Sequence, residues 1–348
     1  MSTPIQTTER PRASVLINRN FALLWSGQVI SNIGDYLFST TAVLWIATNL
    51  AKGQSWAPLA VSGELIALTT PIFLIGPVAG VFVDRWEKRR TMLRMDALRA
   101  LLILALVPFA LLVGTHAATW QLVALYASIA LTAACSQFFN PSRLALIGDI
   151  VTPEQQPRAS SLIFMTTSLG IVVGPALAAP LYVALGPAWA LVIDAATFLA
   201  SFAAIQLIQA PQGARSLKEG QAGNVLRELG AGLRYFMGNR VLRTLLIVTS
   251  LTLFGSSAIN ALSIFFLTDN LHQPPALLGV LSTATGVGVL AGSAVAAWAV
   301  PRIGPARAYW LGTLLTGALI LFYALQTQFV LAVALLFIIG LPSAALNV

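Results

Sequence analysis

The chain has 348 residues, of which 57% are hydrophobic and only 9% are charged, and its mean hydropathy is +0.82. A soluble domain carries about 25% charged residues, so this composition excludes a soluble globular enzyme of this length. The net charge of +8 does not indicate a nucleic-acid partner, because Lys and Arg lie in short clusters between apolar runs. The length accommodates roughly ten apolar helices of about 20 residues. We therefore expect an all-α polytopic membrane protein.

Ten apolar runs predict ten membrane-spanning helices. If the N-terminus is cytoplasmic and every run crosses, only Lys52 of the 20 Lys and Arg residues falls on the outer side, as the positive-inside rule requires. Both ends are therefore predicted to lie on the cytoplasmic face of a bacterial inner membrane, with no signal peptide. The predicted runs are 20–49, 57–83, 94–114, 118–142, 160–184, 188–209, 242–267, 277–300, 308–326 and 329–348.

One long connection separates six runs from four. It carries apolar residues at helical spacing, which predicts an amphipathic helix on the cytoplasmic leaflet. Asn18-Arg19 before the first run is repeated as Asn239-Arg240 before the seventh, which indicates two related halves. The predicted organisation is a tail (1–19), a six-helix bundle (20–209), a linker (210–241) and a four-helix bundle (242–348).

Polar side chains recur at steps of three or four in the first, fourth and seventh runs, so each set lies on one helix face. In lipid such a face must be turned to protein or water. Hydrogen bonding between helices is the alternative interpretation for any one residue, but three stripes favour a shared substrate cavity. The predicted cavity residues are Gln28, Ser31, Asn32, Ser39, Thr132, Ser136, Asn140, Arg143, Thr252, Ser256 and Asn260.

Besides Asp96 at the start of the third run, three carboxyl groups lie within the apolar runs. Asp35 is near the middle of the first run, where a charge costs about 2.5–3.5 kcal/mol unless it is paired or hydrated. We predict that Asp35, together with Glu64 of the second run, couples transport to protons; a structural carboxyl bonded to hydroxyls is the alternative for each. Asp194 lies near the outer end of the sixth run and is predicted to be structural.

The first cytoplasmic loop and its approach read GPVAGVFVDRWEKRR over residues 76–90. This pattern resembles the loop between helices two and three of the major facilitator superfamily, so the resemblance implies that fold. Gly76 and Gly80 are four residues apart and would let their helix approach a neighbour closely. The resemblance implies a cytoplasmic gate that comprises Gly76, Gly80, Asp84, Arg85, Arg89, Arg90, Asp96 and Arg99.

Further stretches resemble the third drug:proton antiporter branch, which includes macrolide, tetracycline and siderophore exporters. They include Gly34-Asp35, residues 139–143 (FNPSR) and residues 194–198 (DAATF). Residues 170–175 (GIVVGP) resemble the Gly-rich antiporter motif. That likeness implies that Gly170, Gly174 and Pro175 seal the cavity against ion leak, and ordinary small-residue packing is the alternative.

The chain departs from the superfamily pattern in two places. Members have twelve helices, whereas this chain stops within the tenth, so we expect a truncated sequence that lacks the helix on which Asp84 would dock. The second copy of the loop motif, at residues 299–307, has no aspartate.

The predicted function is proton-coupled efflux of amphipathic drugs by alternating access. We expect no cofactor and no metal, because the proton gradient supplies the energy, and we expect a monomer in a lipid bilayer with a small-molecule substrate. The alternatives are a siderophore or lysophospholipid exporter, or a truncated membrane protein without transport activity. An enzyme is not expected, because His116 and His272 fall in loops and no hydrolase or ATP-binding motif occurs.

Overall fold

The computed structural model describes residues 17–83, 86–111, 117–209, 234 and 237–343, apart from a few side chains that include those of Thr252 and Ser256. The described residues form long helices and short turns, without strands. The helices are α1 (Arg19–Trp45), α2 (Ala57–Val83), α3 (Lys88–Ala110), α4 (Ala117–Ile150), α5 (Gln156–Leu185), α6 (Pro187–Gln206), α7 (Arg240–Phe265), α8 (Leu278–Ile303), α9 (Pro305–Ala324) and α10 (Phe329–Ser343).

Each predicted run coincides with one of these helices, which confirms the all-α fold class. The largest differences lie at the charged ends: α3 begins at Lys88 rather than 94, and α4 continues to Ile150 rather than 142. Charged residues end an apolar run without ending a helix. By length and hydropathy alone, five described segments could cross a membrane, namely Ala57–Gly76, Ala117–Ile150, Pro153–Leu185, Pro187–Gln206 and Pro275–Ala296.

The first six helices form one bundle. In it α1 packs between α5 and α6, α3 packs between α4 and α6, and α2 packs on α4. In the second half α10 packs between α8 and α9. The halves meet where α5 lies against α8 and α2 lies against α7. The linker predicted over 210–241 lies almost entirely outside the described residues.

The apolar core differs between the two ends of the bundle, which we name the Asn18 end, where α1 begins, and the Trp45 end, where α1 ends. At the Trp45 end one cluster of buried side chains joins both halves, from Trp45 of α1 to Ile264 of α7 and Leu336 of α10. At the Asn18 end the described cluster contains side chains of the first half alone, such as Phe21. The described halves are thus joined at the Trp45 end.

The repeated Asn-Arg pair marks equivalent helix starts. Asn18 Oδ1 accepts a hydrogen bond from the Phe21 amide at 2.8 Å, and Asn239 Oδ1 accepts one from the Val241 amide at 3.0 Å. Each side chain thereby satisfies an amide that the helix leaves unbonded. The two helices also end alike, because α1 runs into a π-helical turn at Ile46–Leu50 and α7 into one at Phe266–Asn270. These features support two related halves.

Candidate functional site

The polar stripe of α1 faces the interior of the first bundle. Gln28 and Ser31 are buried, whereas Asp35 and Ser39, one and two turns further along, are exposed. Asn32 is half-buried and donates to the Gln28 carbonyl of its own helix at 3.0 Å. The stripe therefore changes from packed contacts near the Asn18 end to open space near the middle of the helix.

Asp35 lies among charges that come from other helices. Arg99 of α3 and Arg143 of α4 act on it as opposite charges, and Asp194 of α6 acts on it as a like charge. Since these three helices and α1 belong to one bundle, these charges act on an exposed carboxyl from inside that bundle.

Glu64 of α2 is buried, with 7% of its surface exposed, and Ser39 Oγ donates to its Oε1 at 2.8 Å. The Tyr126 hydroxyl of α4 lies nearby and donates to the Ala60 carbonyl at 2.6 Å. The two carboxyls predicted to carry protons therefore lie on neighbouring helices. Ser39, which donates to Glu64, lies one turn beyond Asp35 on α1.

A hydrogen-bonded chain crosses four helices on the Asn18 side of Asp35. Arg143 Nη1 of α4 donates to Gln28 Oε1 of α1 at 3.0 Å, and Gln28 Nε2 donates to Ser201 Oγ of α6 at 3.1 Å. Ser201 Oγ in turn donates to Asp96 Oδ2 of α3 at 2.7 Å. Every donor points toward Asp96, so the chain has a single direction. Sequence reasoning missed Ser201 because one serine in an apolar helix has no distinguishing pattern.

Arg99 lies beside the Asp96 end of this chain, against two aromatic rings. Its guanidinium carbon lies 4.4 Å from the centre of the Phe139 ring and 5.4 Å from that of Phe198, a geometry that attracts a cation. Its Nη1 lies 3.7 Å from Asp96 Oδ1. Asp96 and Arg99, which were predicted as part of the cytoplasmic gate, are both nearly inaccessible inside the first bundle. They lie about two and three turns into α3, where side chains of α4 and α6 contact them.

Asp194 lies beside Asp35 rather than at an isolated outer position. A Cβ on Gly34 would overlap Thr197 Oγ1 and lie 2.5 Å from Asp194 Oδ1, so the α1 backbone rests directly on these side chains. Asp194 is 1% exposed, and its Oδ2 has no hydrogen-bond partner in the described part of the chain. The glycine before Asp35 is the sequence signal that could have indicated this contact.

The remaining predicted cavity residues differ from one another in hydrogen bonding and in exposure. Thr132 and Ser136 of α4 donate to carbonyls of their own helix, at 2.8 Å to Ser128 and 3.0 Å to Thr132, so their hydroxyls satisfy the backbone. Asn140 and Asn260 are exposed. Thr252 and Ser256 lie on α7, but their side chains are outside the described part.

The described basic residues of the predicted gate contact different partners. Arg89 donates to the carbonyls of Ile205 and Gln206 at 3.1 and 2.5 Å, and so binds the C-terminal end of α6 rather than a partner across the halves. Arg90 forms an exposed ion pair with Glu87 at 2.7 Å. Lys88, which was not predicted, pairs with Asp149 of α4 at 2.7 Å. Asp84 and Arg85 lie outside the described residues.

The close helix approach expected at Gly76 and Gly80 is found only at the first. A Cβ on Gly76 would lie 3.3 Å from Gln137 Oε1 of α4, whereas a Cβ on Gly80 would have no described atom within 4 Å. The described part of the chain therefore places no close neighbour at Gly80, and the close approach expected there stays a prediction.

The Gly-rich motif of α5 packs on both of its faces. Cβ atoms on Gly170 and Gly174 would lie 2.7 and 2.5 Å from atoms of Tyr36 in α1. On the other face the Pro175 carbonyl lies against Gly279 of α8, and Thr283 Oγ1 donates to the Val172 carbonyl at 3.1 Å. The motif therefore places α5 between α1 and the second half. No cluster of three or more potential metal ligands occurs among the residues described.

Solved structures of transporters share this fold. A D-xylose-proton symporter superposes with a TM-score of 0.71 at 13% identity, covering 93% of this chain and 79% of the symporter. A bacterial homologue of the human lysosomal transporter Spinster, in an inward-facing and unoccupied conformation, gives a TM-score of 0.65 at 15% identity and covers 96% of this chain and 74% of its own. At such identities the likeness shows the fold alone.

Curated relatives are similar over most of this chain. The uncharacterized MFS-type transporter YkuC of Bacillus subtilis is 23% identical over 296 residues, which are 83% of this chain and 66% of YkuC. Macrolide efflux protein A of Streptococcus pyogenes is 22% identical over 274 residues, or 78% of this chain and 64% of that protein. The multidrug efflux pump Tap of Mycolicibacterium fortuitum is 27% identical over 198 residues, or 54% and 47%. The chain thus spans less than two thirds of the length of these relatives.

A family model described as "transmembrane secretion effector" matches residues 12–344 of this chain. This match covers nearly the whole chain and agrees with the loop motif, the helical fold and the transporter relatives. The protein is therefore a membrane protein of the transmembrane secretion effector family, within the major facilitator superfamily.

Proposed function

We propose that the protein exports amphipathic small molecules and that entry of protons through Asp35 drives the export. One observation carries the proposal: Asp35 is exposed in the middle of α1 while two arginines of the same bundle, Arg99 and Arg143, act on it. An ionisable group near mid-membrane is costly unless it is paired or hydrated, and such groups commonly belong to ion pathways. Glu64 is the second proton-binding group in this proposal.

Alternating access is supported by the unequal ends of the bundle. The Trp45 end is joined across the halves by one apolar cluster, while the described cluster at the Asn18 end belongs to the first half. In our proposal the Asn18 end faces the cytoplasm, so the described state would admit cargo from inside. Rocking of one half on the other along the α5–α8 contact would then open the Trp45 end.

The cargo class is proposed from two considerations. The relatives named for a cargo are a macrolide efflux protein and a multidrug efflux pump. The α1 face presents a carboxamide, a hydroxyl and a carboxyl group in Asn32, Ser39 and Asp35 beside apolar helices. Such a surface suits molecules with an apolar body and a few polar groups. Siderophores and lysophospholipids share that chemistry and belong in the same assay.

The test is transport by the purified chain in proteoliposomes that contain a pH-sensitive dye. The compounds added are a macrolide, a tetracycline, a cationic dye, a catecholate siderophore and a lysophospholipid. We expect a substrate-dependent proton flux that Asp35→Asn abolishes. Glu87→Gln, which removes an exposed carboxyl at the Asn18 end, is the matched control and should retain the flux.

Each result bears on a different part of the proposal. Substrate movement that persists in Asp35→Asn with an unchanged proton flux would contradict the role of Asp35. Substrate movement without any proton flux would contradict proton coupling. Silence with every compound would contradict transport by this chain and favour a membrane protein without transport activity.

A further inference from the structure

We propose that Gln28 and Ser201 are positioning residues that divide the guanidinium groups of Arg143 and Arg99 between Asp35 and Asp96. The inference rests on the proposed proton coupling, because it assigns the groups that tune the proton-binding site. Neither Gln28 nor Ser201 touches the proton carrier itself. They act through the two arginines.

The first support is the geometry of the chain. Gln28 is 5% exposed, while Ser201 and Asp96 are inaccessible, so water does not replace a lost link in the chain. A buried polar group that loses its partner costs about 1–3 kcal/mol. The contacts from Arg143 to Gln28, Ser201 and Asp96 therefore form or break as a unit.

The second support is that neither arginine is committed to one carboxylate. Arg99 approaches Asp96 only to 3.7 Å, and its Nε and Nη2 form no hydrogen bond with the described residues. Arg143 donates through Nη1 to Gln28, while its Nε is likewise without a described partner. Both arginines nevertheless act on Asp35. Each arginine retains N–H groups that can donate hydrogen bonds to a nearby carboxylate.

The consequence concerns the protonation of Asp35. A closer guanidinium favours the ionised form of a carboxyl, and a more distant one favours the protonated form. The other charged or titratable groups around it are Asp194 of α6, Asp96 of α3, Tyr36 beside it on α1, and Glu64 of α2, which accepts a hydrogen bond from Ser39 one turn further along α1. None of these is bonded to Gln28 except through the chain, so a change at Gln28 reaches Asp35 through Arg143.

The experiment is an infrared titration of the protonated carboxyl band of Asp35 in the purified full chain, which does not require transport. The Asp35 signal is assigned by subtracting the spectrum of the same protein with Asp35→Asn. Gln28→Met removes the acceptor and releases Arg143 toward Asp35, so the protonation midpoint should fall by about 1 pH unit. Gln28→Glu holds Arg143 more tightly and adds a negative charge, so the midpoint should rise by about as much.

Ser201 provides the second arm. Ser201→Ala removes a donor from Asp96, which then draws Arg99 from Asp35 and raises the midpoint, whereas Ser201→Thr keeps the hydroxyl and should restore it. Ser168→Ala removes another buried hydroxyl, which is bonded to its own helix at 3.1 Å, and should leave the midpoint unchanged.

Opposite shifts from the two Gln28 variants would support the proposal. An unmoved midpoint, or shifts of the same sign, would overturn it. If Gln28→Met does not accumulate in the membrane, the other two variants decide: a raised midpoint in both Gln28→Glu and Ser201→Ala supports the proposal, and an unmoved or lowered midpoint in either overturns it. The proton-flux assay on the unmodified chain separately shows whether proton coupling itself fails.

Discussion

Gly34 places two acidic groups side by side at the scale of single residues. Its missing side chain lets the α1 backbone rest on Asp194 and Thr197 of α6, and the next residue is Asp35. Sequence counting assigned Asp194 to the outer end of its run. Distance along one helix does not give depth relative to another helix, because depth depends on tilt and on which residues meet. That is why the position of Asp194 beside Asp35 could not be predicted.

We expect Gly34→Ala to destabilise the protein. The added methyl would overlap Thr197 Oγ1 and press on Asp194 Oδ1, and overpacking of this kind costs about 1–3 kcal/mol. Thermal unfolding in detergent measures the effect as a lower midpoint. Gly148→Ala in α4 is the control, because its Cβ would meet no described atom within 4 Å. An unchanged midpoint in Gly34→Ala would show that α1 and α6 do not pack as described.

At the scale of elements, α5 is held between α1 of its own half and α8 of the other. The resemblance implied that the Gly-rich motif of α5 seals the cavity against ions. The contact at which such a seal would lie is that of the Pro175 carbonyl with Gly279. Small residues on both helices let the backbones meet. Close packing and an ion seal are thus two descriptions of one surface, and a leak measurement tests the second.

Gly279→Ala should separate α5 from α8 and produce a proton leak without substrate. The added methyl would overlap the Pro175 carbonyl oxygen, so the halves must move apart at the Trp45 end. The measurement is the passive decay of a pH difference across proteoliposomes. Gly317→Ala in α9, whose Cβ meets no described atom within 4 Å, should retain the pH difference. A tight membrane in Gly279→Ala would contradict the sealing role.

Helix positions were largely predictable because apolar runs and capping residues are local signals, as Asn18 and Asn239 show. Contacts between helices could not be predicted from such local signals. The sequence could not indicate that Arg89 binds the carbonyl end of α6 or that Ser201 completes a chain to Asp96. Such partners are 105 or more residues apart in the chain. They depend on which faces the six helices turn toward one another.

At the scale of the whole molecule, the positive-inside pattern predicts that the Asn18 end is cytoplasmic. In a Cys135→Ser background, a membrane-impermeant maleimide should label Lys52→Cys in intact cells. It should label Gln156→Cys, which is exposed near the Asn18 end, only after permeabilisation. Because Cys135 is the one cysteine of the chain, each signal has a single origin. The reverse labelling pattern would invert the topology and, with it, the direction of the proposed export.

The π-helical turns at Ile46–Leu50 and Phe266–Asn270 bear on how the chain arose. A π turn holds one residue more than an α turn and is rare. Its occurrence at the same place in both halves, with Thr48 and Thr268 each bonded to the carbonyl four residues earlier, is most simply explained by one ancestral insertion. A single helical segment that already carried the extra residue, duplicated later, accounts for both turns. Deleting one residue from either turn should therefore restore an older, continuous helix without breaking it.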